Sequence, residues 1–147
     1  YYSKSDKLFE GFAALNNACW QYVAKKDYKT SVKEFKNALK IQNKIISENS
    51  DMKTLLNRTH VLTMQNFALS LHLMGKSKKS LKYFVAANDL LSEDNSDIAI
   101  KRIAYINYNL SNVYESLGNS VLSSEYRDRI NGKVIPSSGE VEEYFNY

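Results

Sequence analysis

Small and bulky side chains recur in a fixed order around three polar turns, which begin at Lys26, Gly75 and Gly118. Seven residues before each turn stands a small side chain, four residues before it a bulky one, and five residues after it a serine. In chain order these positions are Cys19, Tyr22 and Ser31, then Ala68, Leu71 and Ser80, then Ser111, Tyr114 and Ser123. A small residue that receives a bulky one from a neighbouring helix allows the two helices to approach closely. The pattern therefore predicts three helical hairpins.

The three hairpins correspond to six helices, which we expect at about residues 6–25, 28–48, 51–74, 77–92, 95–117 and 120–131. One proline and five glycines in the whole chain are too few for the many tight turns of a sandwich or barrel, so the composition also favours helices. Between the hairpins, the Asn-Ser-Asp triplets at residues 49–51 and 95–97 carry side-chain oxygens. We expect each triplet to cap the helix that follows it.

The segment Tyr108–Asn119, with the sequence YNLSNVYESLGN, resembles the first helix and turn of a tetratricopeptide repeat, and the segment Lys26–Leu39 resembles the second helix. The three copies together cover about residues 6–131. Their turns lie 49 and 43 residues apart, whereas the usual tetratricopeptide repeat has roughly 34 residues. The copies are therefore similar to the long-helix variants found in kinesin light chains and in bacterial peptide-pheromone receptors.

This resemblance implies an all-α fold, a right-handed superhelical array of antiparallel helix pairs with three repeats at about residues 6–48, 51–92 and 95–131. We expect residues 1–147 to form a single domain, since the chain length and an apolar content of 44% suit one folded core. Residues 132–147 are expected to be a linker and a C-terminal capping segment, because Val141, Tyr144 and Phe145 have the spacing of an apolar helix face. The alternative for this acidic and aromatic tail is a linear motif for another protein.

In a tetratricopeptide array the first helix of each pair lines a concave groove in which ligands lie. An asparagine stands nine residues before each turn, at Asn17, Asn66 and Asn109. Because a primary amide both donates and accepts, such a row can hold the backbone of an extended peptide, a role that the resemblance also implies. The other residues expected to bind a peptide or protein there are Asn16, Trp20, Gln65, Leu69, Tyr105, Tyr108 and Asn112. The alternatives are asparagines that bond only to neighbouring helices and aromatic side chains that belong to the core.

These residues favour a scaffold module that binds another protein or an extended peptide through the groove. The alternative is a structural subunit of a larger complex that binds through its convex or terminal faces. The clamp that other family members use for acidic chaperone tails is not expected, because its lysines and arginine are missing. The residues at the matching places are Asn16, Trp20, Asn66, Tyr105 and Asn109.

Catalysis is not expected, because His60 and His72 are twelve residues apart and have no matching carboxylate or cysteine pattern. No cofactor and no metal are therefore expected. The lone Cys19 cannot form an internal disulfide, which favours a reducing, intracellular and cytoplasmic location. No stretch of the sequence is apolar enough over the length that a membrane span needs.

The basic residues are spread along the chain, and the net charge of +4 does not by itself imply nucleic acid. One set of lysines does follow a helical spacing of three and four residues. These are Lys25, Lys29, Lys33, Lys36, Lys40 and Lys44. Such a stripe could contact phosphates or an acidic protein, but a solvated helix face is the favoured interpretation, and nucleic-acid binding is not expected.

Overall fold

The computed structural model describes residues 4–92 and 94–130, and the regular elements in these residues are all helical. The six predicted helices are confirmed, and each observed end lies within three residues of the predicted one. They are α1 (Lys4–Ala24), α2 (Tyr28–Glu48), α3 (Lys53–Leu73), α4 (Ser77–Leu91), α5 (Asp97–Ser116) and α6 (Ser120–Asp128). A short 3-10 turn, Ser50–Met52, precedes α3.

The same backbone turn closes all three predicted hairpins. Its first residue has a positive φ, of 60° at Lys26, 89° at Gly75 and 77° at Gly118. The next amide then donates to a carbonyl five residues earlier, which is the closure that commonly ends a helix at a left-handed residue. The three bonds are Asp27 to Tyr22 at 2.9 Å, Lys76 to Leu71 at 2.8 Å and Asn119 to Tyr114 at 2.9 Å. The bulky residues four positions before each turn therefore supply the carbonyls that close it.

Each helix packs against the next one along the chain, and α3 also contacts α1 and α5, so that α3 touches four other helices. The small residues that the sequence placed at these contacts are buried, as the close packing of helices requires. Between α2 and α3 the hydroxyls of Ser31 and Ser70 are only 2.7 Å apart. Two clusters of buried apolar side chains form the core, one around Phe35 and one around Phe84.

The two Asn-Ser-Asp triplets play different parts, so the prediction that both cap the following helix is wrong for the first. Ser96 does cap α5, because its hydroxyl accepts from the Ala99 amide at 3.2 Å. Asn49 makes no capping bond to α3, since the 3-10 turn lies between them. Its side-chain nitrogen donates instead to the Ile45 carbonyl at 2.8 Å. Asn49 thus stabilises the end of α2 rather than the start of α3.

None of the helices within residues 4–130 that the structure describes has the length and apolar character to cross a membrane. The predicted capping residues Val141, Tyr144 and Phe145 lie outside the described residues. In α6, the last described helix, Val121 is 68% exposed.

Candidate functional site

The ten residues predicted to bind a peptide lie on three helices, one of which contacts the other two. They come from α1, α3 and α5, and α3 packs against both of the others. Four of the ten are partly exposed, namely Asn17, Leu69, Tyr108 and Asn112. The other six are buried, namely Asn16, Trp20, Gln65, Asn66, Tyr105 and Asn109. Most of the predicted polar groups therefore lie beneath the surface.

One bond between these residues links α1 to α3. The Asn66 side-chain nitrogen donates to the Asn16 side-chain oxygen at 2.9 Å, and both residues are fully buried. The sequence analysis gave two alternatives for these asparagines, binding a peptide or bonding to a neighbouring helix. The bond from Asn66 to Asn16 is of the second kind. It uses one donor of Asn66 and leaves the carbonyl oxygen of the same amide for another partner.

Three amides on this face have buried polar atoms without a hydrogen-bond partner, and we call Gln65, Asn66 and Asn109 the amide row. In these three side chains the unpaired atoms are Gln65 Nε2 and Oε1, Asn66 Oδ1 and Asn109 Nδ2. Two of these atoms are donors and two are acceptors. About nine in ten buried polar groups in proteins are paired, and an unpaired one costs roughly 1–3 kcal/mol. Four such atoms therefore lie on the adjoining helices α3 and α5.

The aromatic residues of the face divide into core and surface. Trp20 and Tyr105 belong to the core cluster around Phe35. Burial raises the pKa of Tyr105 to about 12. The nearby Asn109 amide partly offsets this rise. Asn109 Nδ2 nevertheless makes no well-aligned hydrogen bond. The Tyr108 ring lies 6.3 Å from that of Tyr105 in a tilted arrangement and stays partly exposed. Only Tyr108 is therefore placed to meet a ligand without rearrangement.

A surface cavity of about 440 Å³ opens beside this face, on α1. Its lining includes the predicted Asn17, together with Phe9, Glu10, Ala13 and Ala14. The sequence interpretation did not single out Phe9, Glu10 or Ala14. The sequence did contain a pattern that could have indicated this cavity, because residues 10, 13, 14 and 17 follow the spacing of one helix face.

No family model, curated protein or solved structure matches this chain. The functional interpretation therefore depends on the geometry of the described residues. Those residues contain no group of three or more His, Cys, Asp or Glu side chains that could hold a metal ion.

A buried polar chain lies on the other side of α3, where α2 packs. Gln42 Nε2 donates to Thr63 Oγ1 at 2.8 Å, and Gln42 Oε1 is 2.7 Å from His60 Nδ1. Because the amide oxygen can only accept, Nδ1 carries the proton of the neutral imidazole. Burial lowers the pKa of His60 from 6.5 to about 4, so the ring is uncharged at neutral pH. Nothing in the local sequence pattern indicated Gln42.

Proposed function

We propose that this chain is a protein- or peptide-binding module, built as a right-handed array of three tetratricopeptide-like repeats, which holds an extended peptide on the face formed by α1, α3 and α5. Support for the array comes from the three turns, which share one backbone conformation and one hydrogen-bond pattern. The contacts of α3 with α1 and α5 also support it, because stacked hairpins bring their first helices together.

The observation that carries the proposal is the set of unpaired atoms in the amide row. An extended peptide presents N–H and C=O groups in alternation, which matches two acceptors and two donors on adjoining helices. At about 1 kcal/mol net per bond, four bonds would contribute about 4 kcal/mol, which alone corresponds to millimolar affinity. Tighter binding would come from side-chain contacts with the partly exposed Leu69 and Tyr108.

The amide row is covered in the structure, so binding requires a small local rearrangement. Gln65 and Asn66 have no accessible surface, and a peptide reaches them only when the side chains above them rotate. The side chains that can rotate are the partly exposed ones on the same helices. They include Leu69, Tyr108 and Asn112. Rotamer changes of this kind are common at peptide-binding surfaces.

The alternative function, a structural subunit of a larger complex, is favoured by a different observation. Leu117 is 43% exposed at the last hairpin turn and Val121 is 68% exposed in α6. We call these two residues, which lie four positions apart at the turn into α6, the apolar corner. A permanent partner that covers this corner would not depend on the amide row.

The substitution Gln65→Leu tests the proposal because it has opposite effects on folding and on binding. Removing two unpaired buried amide atoms should raise the free energy of unfolding by about 1–3 kcal/mol. The same change removes a donor and an acceptor for the ligand backbone, so partner binding should weaken. Urea unfolding followed by circular dichroism measures the first effect, and quantified affinity capture from cell extract measures the second.

A second variant and a matched control complete the test. The double substitution Asn66→Ala, Asn109→Ala should abolish capture of the partner while the helical content is kept. Asn37→Ala with Asn95→Ala removes two exposed asparagines outside both surfaces and should leave capture unchanged. If partners survive both Gln65→Leu and the Asn66, Asn109 double variant, the peptide-binding face is excluded and the apolar corner becomes the surface to examine.

A further inference from the structure

A groove runs between α2 and α4, on the side of α3 away from the amide row, and we call it the α2–α4 groove. Its volume is about 440 Å³. Asn43 and Ile46 line it from α2, Ala86 and Leu90 from α4, and α3 provides the floor. The floor side chains include His60 and Met64. His60 is neutral at pH 7 because burial lowers its pKa. The charged residues of the lining are Lys53 on α3 and Asp89 on α4.

The helices α2 and α4 that line this groove run parallel, and each carries exposed lysines on the same helix face as its lining residues. Both α2 and α4 are antiparallel to α3, so they point in the same direction. On α2, Lys36 and Lys40 precede Asn43 by seven and three residues, which places them on its face of the helix. On α4, Lys79 and Lys82 precede Ala86 by seven and four residues. All four lysines are exposed.

The positive charge of the protein is concentrated on these two helices. Their acidic residues are Glu34, Glu48 and Asp89. Their lysines are Lys29, Lys33, Lys36, Lys40, Lys44, Lys78, Lys79 and Lys82. The excess of five positive charges on α2 and α4 exceeds the +4 of the whole chain. Among the described residues, both ion pairs involve arginines, so these lysines have no internal carboxylate within salt-bridge distance.

We propose that the α2–α4 groove binds an acidic amphipathic helix of another protein. The apolar side chains of that helix would fill the groove above Met64, and its carboxylates would pair with the lysines on both walls. The lysine pairs Lys36–Lys40 and Lys79–Lys82 repeat once per helical turn, which matches the spacing of glutamates on one face of a partner helix. This surface is separate from the peptide-binding face, so the inference does not rest on the proposed function.

An acidic protein fits the groove better than a nucleic acid does. The sequences of α2 and α4 contain no arginine, the side chain that pairs with phosphates through two hydrogen bonds. The groove is lined by Ile46, Met64 and Leu90 as well as by Lys53 and Asp89, and a phosphate backbone would leave its apolar part unfilled. The Tyr83 ring of α4 packs edge-on against Phe67 at 4.6 Å and is not free to stack on a base.

Fluorescence anisotropy with a labelled synthetic peptide and the full chain tests this inference. The probe is an acidic peptide of roughly 18 residues, five helical turns, with leucines on one face and glutamates elsewhere. A scrambled peptide has the same composition without the apolar face, and a third peptide replaces every glutamate by lysine. The acidic amphipathic probe should bind more tightly than both, and its affinity should fall as NaCl rises from about 50 mM to about 500 mM.

Variants of the chain locate the binding site of the probe. The substitutions Lys36→Gln, Lys40→Gln and Lys82→Gln together should weaken binding about tenfold, if each exposed pair contributes about 0.5 kcal/mol. A triple variant of three exposed lysines elsewhere has the same net charge and should change the affinity less than about twofold, the size of a general charge effect. This control carries Lys7→Gln, Lys25→Gln and Lys101→Gln. Ala86→Leu, which narrows the groove without a charge change, should also weaken binding.

Three outcomes would overturn the proposal. The first is equal binding of the amphipathic and scrambled peptides, which would mean that the apolar floor takes no part. The second is an equal loss in the two triple variants, which would indicate general charge attraction. The third is a single-stranded oligonucleotide that binds through the same lysines more tightly than the acidic probe, which would make nucleic acid the ligand.

Discussion

Acidification should destabilise this protein through one buried side chain, His60. The residue is 2% exposed, and its Nδ1 proton is donated to Gln42 Oε1 at 2.7 Å. A second proton would have to go to Nε2, which would create a cation in the apolar floor of the α2–α4 groove. Burial opposes this and lowers the pKa of His60 from 6.5 to about 4. In the unfolded chain the same ring is fully hydrated and titrates near its ordinary pKa.

The sign and size of the effect follow from these two pKa values. Between pH 6.5 and about 4 the unfolded state binds a proton that the folded state does not, so the free energy of unfolding falls as the pH falls. A difference of about 2.5 pH units, at about 1.4 kcal/mol per unit, amounts to about 3.5 kcal/mol, of which about 3 kcal/mol is lost by the time the pH reaches about 4. This stability is fully present above pH 6.5 and is lost once the pH has fallen through about 4.

Urea unfolding at a series of pH values between about 7.5 and about 4, followed by helical circular dichroism, measures this loss. The variant His60→Asn keeps a donor near Gln42 but cannot be protonated, so its stability should change about 3 kcal/mol less over the same range. The only other histidine is His72, which is partly exposed, and His72→Asn should retain most of the acid sensitivity. If His60→Asn loses as much stability on acidification as the wild type, the burial of His60 is not the cause.

Three further predictions concern the turns, the helix contacts and the thiol. Lys26 and Gly75 both have a positive φ, which favours glycine. In urea unfolding, Lys26→Gly should therefore stabilise the fold by about 0.5–1 kcal/mol and Gly75→Ala should destabilise it by about 1 kcal/mol. A change of stability in the same direction in both variants would contradict this. Ser31→Leu should cost about 2–3 kcal/mol in calorimetry and Ser31→Ala only about 1 kcal/mol, because the Ser70 hydroxyl lies 2.7 Å away; similar costs would mean that the contact has spare room. Burial raises the pKa of Cys19 to about 11, so a thiol reagent at about pH 8 should label it only in the unfolded chain, and rapid labelling of the folded protein would refute this.

The helices and their turns were predictable because their signals are local. A small residue, a bulky residue and a turn at fixed spacing are read within about a dozen positions, and the observed helix ends lie within three residues of those expected. The role of Asn49 was not predictable in the same way. Its choice between the end of α2 and the start of α3 depends on the 3-10 turn at Ser50–Met52, which the sequence pattern did not indicate.

The candidate site was only partly predictable, because burial depends on packing between helices. Asn66, nine residues before a turn, lies on α3, which packs against α1 and α5. The same spacing could not show that its amide lies below the surface and bonds to Asn16, fifty residues away. The link from Gln42 to His60 likewise joins two helices and has no periodic sequence signal.

The central position of α3 has a consequence for how the protein opens. This helix contacts α1, α2, α4 and α5, whereas α6 is the last described helix and packs mainly against α5. Any opening that exposes the α3 backbone must separate it from four neighbours, while α6 can detach after losing one. In hydrogen–deuterium exchange the amides of α3 should therefore exchange last, at a rate close to that of global unfolding, and those of α6 should exchange first. Gln65 and Asn66 of the amide row and the floor of the α2–α4 groove both lie on α3, so a ligand on one face would be held by the same helix, the slowest of the described helices to exchange, as a ligand on the other.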